Sequence, residues 1–110
     1  MKRVKAVILA PGLDWKWVEF QPTAEAINTI VGGWIEHITL NNGCSVYVNG
    51  EGKIRGLVPC AHYVINDRRE DILVGLVMIF GTPTPAGYES SLTLKQFEEV
   101  KSFIIPIRRD

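Results

Sequence analysis

Asn41-Asn42-Gly43 lies between two runs of strand-forming residues, Trp34 to Leu40 and Cys44 to Val48, and no other feature constrains the fold as tightly. An Asn-Gly pair tolerates the positive φ angles of a type I′ turn, so the flanking runs are expected to fold back as an antiparallel hairpin. In the second run Cys44, Val46 and Val48 fall on one side and Ser45 and Tyr47 on the other, the period of two that a strand imposes. A further turn, Asn49-Gly50-Glu51-Gly52, leads to Lys53-Ile54-Arg55, read here as a third adjacent strand.

Other segments arrange themselves around this hairpin. Lys2 to Ala10 alternates poorly but is rich in Val and Ile and reads as a buried first strand ended by Pro11-Gly12. Trp15 to Phe20 carries a period-two pattern, with Trp15 and Trp17 on one face and Lys16 and Val18 on the other. A helix is expected after Thr23, which can cap it, with Ala26, Ile27, Ile30 and Val31 as its apolar stripe; Gly32-Gly33 ends it. Gly56 to Ile65 reads either as a short helix opened by Pro59 or as irregular chain. Asn66 to Asp71 is a charged turn, and Ile72 to Phe80 reads as a central strand interrupted by Gly75. Gly81 to Ser90, with Pro83, Pro85 and Gly87, is a loop.

A second helix begins at Thr93, where Gln96 completes a capping box, and buries Leu94, Phe97, Val100 and Ile104. Pro106 is expected to end it, leaving Arg108-Arg109-Asp110 as a frayed tail. The fold class follows: α+β, one compact domain over residues 1–110, a mostly antiparallel sheet of about five strands with two main helices.

Composition narrows the function. Twelve basic and twelve acidic side chains leave no net formal charge, so no general field exists for gripping nucleic acid or an anionic membrane, and an acidic DNA mimic is excluded. No run approaches the roughly 20 apolar residues a membrane helix needs. Met1-Lys2-Arg3 precedes only a short apolar run, unlike a secretory signal, so a cytoplasmic location with Cys44 and Cys60 as reduced thiols is expected.

The segments Val31-Gly32-Gly33-Trp34-Ile35-Glu36, Asn49-Gly50-Glu51-Gly52-Lys53, Gly56-Leu57-Val58-Pro59, Asp71-Ile72-Leu73-Val74-Gly75 and Ser91-Leu92-Thr93, taken in that order, resemble a domain-of-unknown-function family encoded by phages, plasmids and bacterial genomes. The resemblance spans about three quarters of the chain and implies a phage-like origin and a shared fold rather than a chemistry. Gly50 stands where that family usually has an acidic residue, and Cys60 lies near its usual Asn.

No nucleophile elbow, zinc-protease helix or phosphate loop is present, and the two cysteines form no C-x-x-C pair. Cys60 and His62 could form a reactive pair or two metal ligands, but nothing in the sequence completes either site. The expectation is therefore no catalytic residue, no metal and no cofactor. Binding residues are sought among the aromatic side chains Trp15, Trp17 and Trp34, which can stack on a base or seal an interface. They are also sought near the glycine turns, in Asn49, Lys53, Arg55, Arg68 and Arg69, where arginine could read phosphate. The reading is a small non-enzymatic binding protein, expected to be homo-oligomeric, that sequesters a nucleotide-derived immune signal. The alternative is an inhibitor or adaptor acting on a host protein.

Overall fold

The computed structural model describes residues 3–108. Eight strands and two helices follow in the order β1 (Val4–Leu9), β2 (Lys16–Phe20), α1 (Ala24–Val31), β3 (Ile35–Thr39), β4 (Ser45–Asn49), β5 (Pro59–Ile65), β6 (Arg68–Val74), β7 (Val77–Phe80), α2 (Leu94–Phe103) and β8 (Ile104–Pro106). A five-stranded sheet runs β2-β1-β7-β4-β3, and a second sheet of three strands runs β6-β5-β8. All pairings are antiparallel. The α+β class, the five-stranded sheet and the two helices are as expected; the three-stranded sheet is additional.

Both faces of the larger sheet are covered at its central strand, β7, which has no polar side. All four residues of β7 are buried. Val77 and Ile79 join a core cluster with Val7, Leu9, Val46, Cys60 and Val100, while Met78 and Phe80 join Val4, Ala6 and Ile27 in another. Strand alternation sends successive side chains to opposite faces, so one short strand feeds both clusters.

Several local expectations change. The turn between β3 and β4 has its positive φ at Gly43, at 90°, and not at Asn42. It is a three-residue loop in which the amide of Leu40 donates to Cys44 O at 2.9 Å. The two-residue turn with paired positive φ lies instead at Asn66 (50°) and Asp67 (63°), joining β5 to β6. The charged segment is thus a tight hairpin tip, and Arg68 to Asp71 are strand residues.

Lys53-Ile54-Arg55 is not a strand. The amide of Arg55 donates to Glu51 O and that of Leu57 to Gly52 O, both at 2.9 Å, so residues 51–57 coil into helical turns. Pro59 opens β5 and not a helix. Ile72 to Phe80 divides at Gly75, whose φ of 72° turns the chain out of the smaller sheet and into the larger one.

Thr93 caps α2 with the expected capping box, but the helix ends at Phe103. Ile104 is buried as part of β8, Pro106 ends that strand, and Leu94 is exposed. Arg109 and Asp110, assigned to a frayed tail, lie outside the described residues.

A cleft at Tyr47 and Glu89

The residues singled out from sequence separate into groups. Trp15 and Trp17 flank Phe97 of α2, with ring centroids 5.5 and 5.4 Å from it in edge-on geometry. Lys101 Nζ lies 5.0 Å from the same ring centroid. These tryptophans therefore fasten β2 to α2. Trp17 also lines a shallow groove with Lys5, Leu92 and Leu94.

A second group gathers at the C-terminal end of α1. Gly32 takes the left-handed conformation there, and the side-chain amide of Asn49 donates to its carbonyl at 3.2 Å. Arg55 Nη1 donates to the same carbonyl at 3.0 Å. A helix end leaves carbonyls without intrahelical partners, and these two side chains supply donors. Trp34 is 72% exposed, and its carbonyl accepts from the amide of Gly50 at 2.8 Å. Lys53 bonds the carboxylate of Asp71 on β6. Arg68 and Arg69 begin β6, exposed, opposite Ile65 and Val64. Trp34, Asn49 and Arg55 are thus brought together by this helix end, whereas Trp15 and Trp17 are placed at α2.

A larger cleft lies elsewhere. It has a volume of about 810 Å³ and is lined by the start of α1, by Ile35 and Tyr47 of the hairpin, and by Thr84 and Gly87 to Ser90 of the long loop. β4 fixes Tyr47, whose ring stacks on His37 at 4.9 Å and meets Phe80 edge-on at 5.7 Å. His37 is held in turn by a hydrogen bond of 3.1 Å between its Nε2 and Ser45 Oγ.

The loop is shaped by its own bonds. The amide of Thr84 donates to Tyr88 O and that of Gly87 to Thr84 O, both at 2.8 Å. The amide of Gly81 donates to Ser90 O at 2.9 Å, closing the loop at its base. This folding carries Glu89 to Tyr47, whose hydroxyl donates to Glu89 Oε1. The second carboxylate oxygen, Oε2, is buried and has no hydrogen-bond partner among the described residues.

Burial, and then the hydrogen bond and negative charge of Glu89, push the Tyr47 phenol well above its ordinary value. It stays protonated at neutral pH, and its proton is committed to Glu89. Among the described residues no Lys, Arg or His lines the cleft. Among the described residues no group of three or more His, Cys, Asp and Glu converges to hold a metal. Cys60 is buried, its thiol donates to Leu9 O at 3.3 Å, and burial pushes its pKa up to about 11. A thiol so placed has little thiolate at neutral pH and does not match the profile of a reactive cysteine.

Sequence reading missed Tyr47 and Glu89 as a pair. Tyr47 carries a strand-face signal, but Glu89 belongs to a loop whose path no periodicity specifies.

An α+β protein of two packed antiparallel sheets, with a cleft on one face of the larger sheet, is the class defined by this architecture. The chain belongs to the family described as Domain of unknown function (DUF3846), whose model matches residues 2–104. No curated protein and no solved structure matches the chain. No helix among the described residues is long and apolar enough to cross a membrane.

Proposed function

We propose that this chain is a non-enzymatic binding protein that sequesters a small molecule in the Tyr47–Glu89 cleft. The observation that carries this reading is a cleft of about 810 Å³ whose apolar wall of Val4, Pro22, Ile27 and Ile35 also holds Tyr47, Tyr88 and Glu89. Ligand sites are typically clefts of this size, mostly apolar with a few polar groups that fix orientation. A sequestering protein needs affinity and no reaction, which fits a tyrosine locked in its protonated form.

The nucleotide-derived ligand expected from the sequence would enter base first. Its phosphates would remain at the mouth in solvent, because no basic side chain lines the cleft among the described residues.

Amide-resolved NMR of the labelled chain, titrated with nucleosides, nucleotides and a panel of neutral aromatic fragments, tests this. Shifts centred on Ile27, Ile35, Tyr47 and Glu89 are expected. Silence at all four across the panel overturns the reading.

A second reading, a protein–protein adaptor, is favoured by the exposure of Trp34 (72%) and Ile54 (89%). Large apolar side chains left in water are typical interface anchors. Capture of one host protein that Trp34→Ala and Ile54→Ser abolish would support it, and unaffected capture would remove it.

A further inference from the structure

We propose that the groove beside the start of α2 binds a free apolar α-amino acid. Glu19 takes the ammonium, Lys5 the carboxylate, and the side chain lies between Trp17 and Leu94. The groove has a volume of about 660 Å³ and shares no lining residue with the Tyr47 cleft, so its ligand is independent of the one proposed there.

Lys5 of β1 and Glu19 of β2 are direct cross-strand partners, so their side chains leave the sheet on the same face. Opposite charges placed this way attract one another, yet among the described residues neither makes an ion pair. Both are exposed and both line the groove. Two unpaired charges of opposite sign, one strand spacing apart, match a ligand that carries both, and an α-amino acid carries them on a single carbon. Arg3, two residues before Lys5, donates through Nη2 to the Glu19 carbonyl at 2.7 Å and forms no ion pair with its carboxylate.

The opposite wall is tied to the same strand. The amide of Lys5 donates to Ser91 Oγ at 2.9 Å, and its carbonyl accepts from the amide of Leu92 at 2.8 Å. These bonds carry Leu92, Thr93 and Leu94 to the groove. Trp17 stands two residues from Glu19 on the same face of β2. Trp17 is 39% and Leu94 74% exposed, which leaves apolar surface in water on both walls. The hydroxyl and amide of Thr93 are engaged with Gln96 in the capping box, so the charged ends of a ligand fall to Lys5 and Glu19.

The deciding experiment titrates the whole chain with L-phenylalanine, 3-phenylpropionate, phenethylamine and glycine. NMR follows the amides of Lys5, Glu19 and Leu94 and the indole N–H of Trp17. 3-Phenylpropionate is phenylalanine without its amino group, phenethylamine is phenylalanine without its carboxylate, and glycine keeps both charges without a side chain. Phenylalanine is expected to shift all four signals. The two truncated compounds should each bind more weakly by about tenfold or more, the scale of one charge-assisted hydrogen bond. Glycine should be weaker by a similar factor, for want of an apolar group to bury. Lys5→Met should weaken phenylalanine by about tenfold and leave phenethylamine unchanged, whereas Glu19→Gln should weaken phenylalanine and leave 3-phenylpropionate no weaker.

Binding of 3-phenylpropionate, phenethylamine or glycine as tight as that of phenylalanine overturns the proposal, and so does phenylalanine that leaves the four signals unmoved. Shifts confined to Ile27, Ile35, Tyr47 and Glu89 would put phenylalanine in the other cleft, and the groove would again be overturned as its site. Both variants alter exposed side chains. Should either fail to fold, the comparison of the four compounds on the unaltered chain decides.

Discussion

Asn49 Nδ2 donates to Gly32 O at 3.2 Å, so the last residue of β4 closes the C-terminal end of α1. The same side chain accepts from the amide of Glu51 through Oδ1 at 2.9 Å, and Asn49 is only 4% exposed. One buried amide thereby joins a helix end to the turn that follows the strand. Replacing it by Ala leaves buried backbone groups short of partners, at a cost of about 1–3 kcal/mol. Arg55→Ala removes a solvent-exposed donor to the same carbonyl and should cost ~1 kcal/mol or less. Urea unfolding of the two variants checks the order; an equal loss would show that burial does not decide it.

Gly81 is set by a close approach and not by its dihedral angles. A Cβ there would lie 2.3 Å from Ser91 O, a backbone atom with no rotamer to yield. Gly81→Ala must spread the base of the loop that carries Glu89, and a destabilisation of at least about 1–3 kcal/mol is expected. Gly87 provides the comparison, since its Cβ would meet nothing within 4 Å and only its φ of +88° opposes a side chain. Gly87→Ala should therefore cost about 1 kcal/mol. Thermal unfolding of the pair measures the difference.

The parts of this fold that were legible in the sequence are those with local causes. Thr23 and Thr93 cap their helices as their sequence context requires, and the Val46–Val48 face is buried as its alternation implies. Lys53-Ile54-Arg55 misled because three residues cannot distinguish a strand from a helical turn, and the turn is fixed by distant partners. A Cβ on Gly52 would meet Val74 Cγ2 at 2.6 Å, and Arg55 reaches back to Gly32. The second sheet was hidden for a similar reason. Its strands are joined by long-range pairing, with His62 opposite both Ile72 and Ile105. The candidate cleft was illegible because it needs β4 and a proline-rich loop to meet, and Tyr47 and Glu89 are 42 positions apart.

Tryptophan exposure separates the three indoles. Trp34 is 72% exposed and Trp17 39%, while Trp15 packs against the core beside Phe97. Acrylamide quenching of the native chain should be dominated by Trp34. Trp34→Phe is expected to remove the most accessible component and leave stability within about 0.5 kcal/mol, as for most surface substitutions. Phe97→Ala should do the reverse, raising the quenching of Trp15 and Trp17 and destabilising by roughly 2–4 kcal/mol, somewhat below the usual cost for a fully buried phenylalanine. Quenching unchanged by Trp34→Phe would place that indole in an interface between copies of the chain.

Alkaline pH should loosen the fold through groups that are held protonated. Tyr47 is raised above the ordinary phenol value near 10 by burial and by Glu89. Cys60 is raised by burial from 9.0 to about 11. For both, the folded chain binds the proton more tightly than the unfolded chain does. Their contribution to stability is thus fully present below the unfolded values and is lost as pH rises through the folded ones. The urea midpoint should accordingly fall from about pH 9 upward, through about pH 11 for Cys60 and beyond it for Tyr47, with the Cys60 contribution fading first. Tyr47→Phe should flatten the upper part of that decline and leave the part beginning near 9, while Cys60→Ala should do the opposite. An ultraviolet titration of the folded chain offers a direct reading, because phenolate absorbs where phenol does not. Tyr47 should remain un-ionised until the chain unfolds, and a full complement of phenolate in a chain still folded would contradict the Tyr47–Glu89 bond.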